Sequence, residues 1–163
     1  MVEIPCGKRM RPRYWRFLII TAVGIALVAF ALDVWWLQVV LLLVGGLNIV
    51  VCVGALYVLY KQPHSVSDEE LRLRQLGFFD WRLPTADLAV AQVAERSHKG
   101  RRTVEVAGDA VVIQSLTKTN VSVPFREPQL VDLGKTGAQR VKRVEFWADD
   151  PELAVREINA RTT

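Results

Sequence analysis

Residues 17–60 read FLIITAVGIALVAFALDVWWLQVVLLLVGGLNIVVCVGALYVLY, and in these 44 residues Asp33 is the only charge. As one helix the stretch would be about 66 Å long, roughly twice the hydrocarbon thickness of a bilayer. It must turn back. A turn at Gly45-Gly46-Leu47-Asn48 would leave only Ile49 to Tyr60 as the returning span, which is too short to cross. A turn at Asp33-Val34-Trp35-Trp36 leaves spans of acceptable length at about 17–32 and 37–60, and it places a carboxylate and two indoles where a membrane–water interface accommodates them. Lys8, Arg9, Arg11, Arg13 and Arg16 precede the first span, no basic residue lies in the turn, and Lys61 follows the second. Basic flanks resist translocation, so the expectation is a two-pass cell-membrane protein with both termini cytoplasmic and residues 1–16 as a basic leader. Ala29-Phe30-Ala31 imitates a signal-peptide cleavage site, but no polar break precedes it and a second apolar span follows.

Small and polar residues fall in two stripes along these spans. Ala22, Ala26, Ala29 and Asp33 are spaced by 4, 3 and 4, while Gly45, Asn48, Cys52 and Ala55 are spaced by 3, 4 and 3. Each set shares one helix face and permits close helix approach in lipid. Either the stripes face each other and close the hairpin, or one of them receives another membrane protein or a second copy of the chain. Two spans without an intramembrane charge pair do not make a channel or pump unless the chain oligomerises.

The rest of the composition narrows the function further. The chain has 163 residues, 51% of them hydrophobic, with 21 basic side chains against 17 acidic ones. Residues 1–60 carry a net +3, from five basic and two acidic groups, and residues 61–163 carry +1, from 16 and 15. The basic pI therefore comes from the membrane flank and gives no support to nucleic-acid binding. After residue 60 there is room for one small domain, which excludes a multidomain enzyme. Cys6 and Cys52 lie at different depths and offer no disulfide framework.

Residues 61–100 read as a linker with two short helices. Ser67-Asp68-Glu69-Glu70 matches a capping box, predicting a helix over 68–76 ended by Gly77. Thr85 would cap a second helix to about Arg96, with Leu88, Ala91 and Val93 inward. From residue 101 the pattern becomes short valine-rich runs: strands at 103–107 and 110–116 around Gly108-Asp109, at 120–125 with Val121, Val123 and Phe125 on one face, at 129–133, and at 139–147 with a bulge near Lys142-Arg143. Asp149-Asp150-Pro151-Glu152 opens a terminal helix. The expected fold class is a membrane α-helical hairpin plus an α+β soluble domain, a small antiparallel sheet or partial barrel arranged as a meander and closed by a C-terminal helix.

Two spans followed by VVIQSLTKTNVSVPF (residues 111–125) and RVEFWADDPELAVREINA (residues 143–160) resemble the bacterial PH-like domain membrane proteins over about residues 103–161. The resemblance implies a small barrel closed by the last helix, a role as scaffold or ligand-binding module, and no catalytic residues to carry over.

No constellation for catalysis is present. His64 and His98 fall in expected loops as solvated side chains, away from the cysteines, and neither pairs at metal-ligand spacing. Asp149-Asp150 is better read as a helix cap than as a metal pair, and Gly134-Lys135-Thr136-Gly137 lacks the spacing of a phosphate loop. No enzyme and no cofactor are expected. Two basic clusters remain, Lys99, Arg101 and Arg102, and Arg140, Lys142 and Arg143. Held near an anionic leaflet, each such side chain gains roughly 1 kcal/mol, so membrane lipid joins another membrane protein or a second copy among the expected partners. The leading expectation is a non-enzymatic scaffold or adaptor whose cytoplasmic domain binds a protein or anionic lipid. The rival is an accessory or assembly subunit that docks through its hairpin, with a membrane-bound enzyme a poorer third.

Overall fold

Glu70-Leu71-Arg72-Leu73-Arg74-Gln75 shows how the soluble part differs from the expectation. Leu71, Leu73 and Gln75 are buried while Glu70, Arg72 and Arg74 are half-buried, a period of two that belongs to a strand. In a helix, Leu71 and Leu73 would point about 200° apart. The supposed capping box is a tight turn: Ser67 N–H donates to the Glu70 carbonyl at 2.9 Å and Glu70 N–H to Ser67 Oγ at 3.1 Å. Side-chain bonds of this kind close turns as readily as they cap helices.

The computed structural model describes residues 1–8, 10–31, 34–61, 63–75, 79–100, 102–132 and 137–162, without the side chains of residues 29–31 and 59. The Asp33 turn, the Gly77 helix end, Arg101 and the Gly134-Lys135-Thr136 segment thus lie outside the described residues, as does the Ala29 side chain. The described residues are α+β, with three α-helices and two sheets, and the chain divides into two units: residues 8–61, and residues 1–7 with 62–163.

The first sheet contains β1 (Val2–Ile4), β2 (His64–Val66), β3 (Glu70–Gln75) and β4 (Phe79–Pro84), in that order and all antiparallel. Residues 1–16 are therefore more than a basic leader. Val2 pairs with Val66 and Ile4 with His64, so the sheet is built from both sides of the helical segment. Ile4 is fully buried, which explains why so short a strand is held.

The expected helix from Thr85 is also absent. Thr85–Asp87 is one 3-10 turn, and β5 (Gln92–Ser97) follows. Thr85 Oγ1 donates to the Asp68 carbonyl at 2.6 Å, and the Asn159 side-chain amide bonds both backbone groups of Ala91. Leu88 and Ala91 are buried but Val93 is exposed. Tertiary pairing overrides the alanine-rich helical bias here.

The second sheet adds β6 (Val104–Ala107), β7 (Ala110–Ile113), β8 (Lys118–Asp132) and β9 (Ala138–Phe146), in the order β5-β8-β9-β7-β6. Two expected strands merge into β8, whose Pro124 and Pro128 bracket an interruption of register opposite Val141–Arg143. That interruption lets Val141 be buried along with Val144 and Phe146. β7 and β9 run parallel, so the sheet is not a meander. No ladder joins the two sheets among the described residues, and they form no closed barrel.

Both sheets and α3 (Pro151–Thr162) share one core. Ile4, Leu71 and Leu73 come from the first sheet, Val111, Val123 and Phe146 from the second, and Ala154 and Ile158 from α3. Asp150 Oδ1 caps α3 by accepting from Leu153 N–H at 3.0 Å, and Pro151 opens it.

The helical unit consists of α1 (Arg11–Ala31) and α2 (Trp35–Lys61). Arg11 lies over the Tyr60 ring at 3.9 Å, Thr21 Oγ1 is 3.3 Å from Asn48 Oδ1, and a Cβ added to Gly45 would collide with Ile25. One number rises as the other falls, so the helices are antiparallel. Among the described residues one helix, at Trp35–Val58, is long and apolar enough to cross a membrane. α1 is apolar only beyond Arg16.

Candidate functional site

The two basic clusters do not form one surface. Lys142 N–H donates to the Asp109 carbonyl before β7, whereas Gln114 N–H, after β7, donates to the Thr103 carbonyl. β7 separates them by about 13 Å at 3.3 Å per residue. Arg140 and Lys142 are exposed on β9. Arg143 is engaged, reaching Asp109 Oδ1 at 2.8 Å and Glu145 Oε1 at 2.9 Å.

Lys99 and Arg102 lie on the β5–β6 loop, and that loop is pinned. His98 N–H donates to the Thr117 carbonyl at 2.8 Å. The Gln114 side-chain amide donates to the carbonyls of Gly100, at 3.0 Å, and Arg102. Gly100 sits against the Glu105 carboxylate. With the carbonyls turned in toward Gln114, the Lys99 and Arg102 side chains are exposed, and neither is ion-paired among the described residues.

Position along the domain separates the clusters again. The chain leaves the domain toward the helices after Ile4 and re-enters it at His64, one end of the first sheet. His64 stacks edge-on against Phe146 with centroids 5.3 Å apart, and Asp149 N–H donates to the Pro5 carbonyl at 2.7 Å. Phe146 is paired with Val121 and Ile113, so Gln114, Thr119 and the pinned loop extend past it at this same end. Arg140 lies six residues back along β9, about 20 Å away.

Two groups that the sequence reading left in solvent are internal. His64 is buried, and its Nδ1 accepts the Arg74 backbone N–H at 3.1 Å, which places the proton on Nε2. Burial, with the nearby Arg74 charge, pushes its pKa down to about 4 against an opposing hydrogen bond to the Trp147 backbone. His98 is also largely enclosed, with Nε2 3.0 Å from Thr119 Oγ1 and 3.4 Å from Glu145 Oε2.

Glu145 itself was missed by the sequence reading. It is buried, faces Ser122 across the ladder, and receives Arg96 at 2.7 Å as well as Arg143. This network ties β5 to β9, and breaking one partner of a buried charge set is costly. Its only sequence signal is the alternation of Arg143 and Glu145 with Val144 and Phe146. A second missed group lies on the solvent-facing side of the first sheet. Arg72 forks onto Asp80, and that hydrogen bond, with the charges of Arg72, Arg74 and Arg82, holds the Asp80 carboxyl below its ordinary range. Glu3 and Glu70 share this face, so it is mixed in sign.

On the helices, Gly45 and Cys52 are buried and Ala55 is half-buried, while Asn48 lies at the edge with its amide oxygen near Thr21 and Cys52. Ala22 and Ala26 are exposed. The two stripes therefore do not face each other: α1 turns Leu18, Thr21, Ile25 and Val28 inward, because bulky Ile25 fills the notch left by Gly45.

Among the described residues no group of three or more His, Cys, Asp and Glu side chains could hold a metal ion, and neither cysteine is in a disulfide. Asp149 receives Trp147 Nε1 while Asp150 caps α3, so the acidic pair serves the backbone turn. Comparison with known proteins returns no matching family model, no matching curated protein and no matching solved structure. The functional reading rests on this geometry.

Proposed function

We propose that the chain is a non-enzymatic, membrane-anchored binding module. Its helical hairpin crosses the bilayer twice, and its β domain is held at the cytoplasmic surface to receive a protein partner or anionic headgroups. The observation that carries the reading is the pairing of β1 with β2 around the helical segment. A chain that enters and leaves its helices from one sheet can cross a bilayer only as a hairpin. Two further features support it. The helices expose Ile19, Ile20, Leu27, Leu43, Leu47 and Val50, a surface suited to lipid. Lys61, at the end of α2, and His64, at the start of β2, are only three residues apart in the chain.

An accessory subunit that docks through its hairpin is the second reading, favoured by the exposed Ala22 and Ala26 on α1. Purification of the full chain in mild detergent separates the two. In the first reading a companion protein is lost on Lys99→Glu/Arg102→Glu substitution and retained in Ala22→Leu/Ala26→Leu. The opposite pattern selects the accessory subunit, and catalytic turnover by the purified chain would overturn both.

A further inference from the structure

Resting on the membrane-anchored reading, we propose that the domain meets anionic lipid headgroups through the pinned β5–β6 loop, with Lys99 and Arg102 as the contacts, and not through Arg140 and Lys142. The loop lies at the end of the domain where both connections to the helices attach, and the other cluster lies behind it along β9, Lys142 about 13 Å and Arg140 about 20 Å back from Phe146. The attraction of an anionic leaflet falls off over a Debye length of about 8 Å at physiological ionic strength. At those distances Lys142 contributes roughly a fifth and Arg140 roughly a tenth as much.

The loop's construction supports this role. Gln114 holds the carbonyls of Gly100 and Arg102, which fixes the backbone on either side of the exposed residues Lys99 and Arg102. The acidic groups at this end are mostly occupied: Glu95 pairs with Lys118 at 2.8 Å, Glu145 with Arg96 and Arg143, and Asp150 with the α3 backbone. Glu105, whose carboxylate lies against Gly100 of the loop itself, and Glu152, exposed on the α3 side, oppose the attraction. Two side chains at roughly 1 kcal/mol each shift the docked-to-undocked ratio about 30-fold.

The test uses the full chain, because the domain is incomplete without β1, which precedes the helices. In a Cys6→Ser/Cys52→Ser background, a bimane label is placed at Ser97→Cys near the loop or at exposed Leu130→Cys on the β8–β9 hairpin. Each protein is reconstituted in nanodiscs of phosphatidylcholine, with or without phosphatidylglycerol, carrying a headgroup nitroxide quencher. The label at position 97 is expected to be quenched more in the anionic discs at low salt, with the difference lost at high salt and none at position 130. Lys99→Gln/Arg102→Gln should lower the docked ratio about 30-fold, whereas Arg140→Gln/Lys142→Gln should leave it unchanged. Quenching at position 97 that ignores phosphatidylglycerol, or that falls equally in the β9 variant, overturns the inference while leaving the anchor standing. A chain that does not partition into the discs overturns both.

Discussion

The helical unit and the β domain solve opposite problems with similar residues. On α2, Leu43, Leu47 and Val50 are exposed, whereas in the domain Leu71, Leu73, Val123 and Phe146 are almost wholly buried. The hairpin is held by a small-residue notch and few polar contacts, Gly45 against Ile25 and Thr21 beside Asn48. The domain is held by apolar burial, by a buried imidazole and by the Glu145 ion network. If the helix pair lies in lipid as proposed, it gains little by burying leucine and depends on close fit, whereas a domain in water depends on how much apolar surface it hides.

Removing buried volume from the domain should therefore have the largest effect and leave the hairpin untouched. Ile4→Ala is expected to destabilise the domain by about 4 kcal/mol, read as faster hydrogen exchange in β2 and β3 with α1 and α2 unchanged. Equal loosening of the helices would show that the two units unfold as one.

Acid should act next, and only on the domain. The unfolded chain protonates His64 near 6.5 but the folded domain resists until about 4, so between those values the unfolded state binds more protons. Stability is complete above about pH 6.5 and declines as pH falls toward 4, by about 3 kcal/mol in all. Denaturant midpoints of the domain should follow that slope, and His64→Gln should flatten the part of it between pH 6.5 and 4. An unchanged slope in the variant would remove His64 as its origin.

The smallest effect concerns the helix contact. Gly45→Leu should destabilise the hairpin by about 2 kcal/mol, through collision with Ile25, while Ala26→Leu on the exposed side of α1 should cost little within the isolated chain. Forster transfer between labels on the two helices measures the difference, and equal responses would contradict the packing described.

The hairpin was legible because composition alone exposes it: a run with one charge is visible without knowing any partner. Parts of the domain were equally plain. Gly108-Asp109 places β6 against β7, with Ala107 opposite Ala110, and Pro151 opens α3 as its position demands. The segments before Gln92 were misread because Ser67 and Thr85 carry hydroxyls that serve caps and turns alike, and the deciding partners, Asp68 and Asn159, are distant or noncommittal in sequence. For the candidate site, the exposure of Lys99, Arg102, Arg140 and Lys142 could be anticipated from charge. Their separation could not, since it depends on the parallel pairing of β7 with β9. Burial of His64 and Glu145 depends likewise on strands that meet only in the folded sheets.

The account turns on the helical segment being a hairpin whose two ends return to one domain on the cytoplasmic side. Single cysteines at Glu3, Val34 and Ser97, in a chain lacking Cys6 and Cys52, can be challenged in intact cells with a membrane-impermeant maleimide. The prediction is that position 34 is modified while positions 3 and 97 are protected until the cells are opened. Modification at 3 or 97 in intact cells, or protection at 34 that persists after opening, would contradict the central claim.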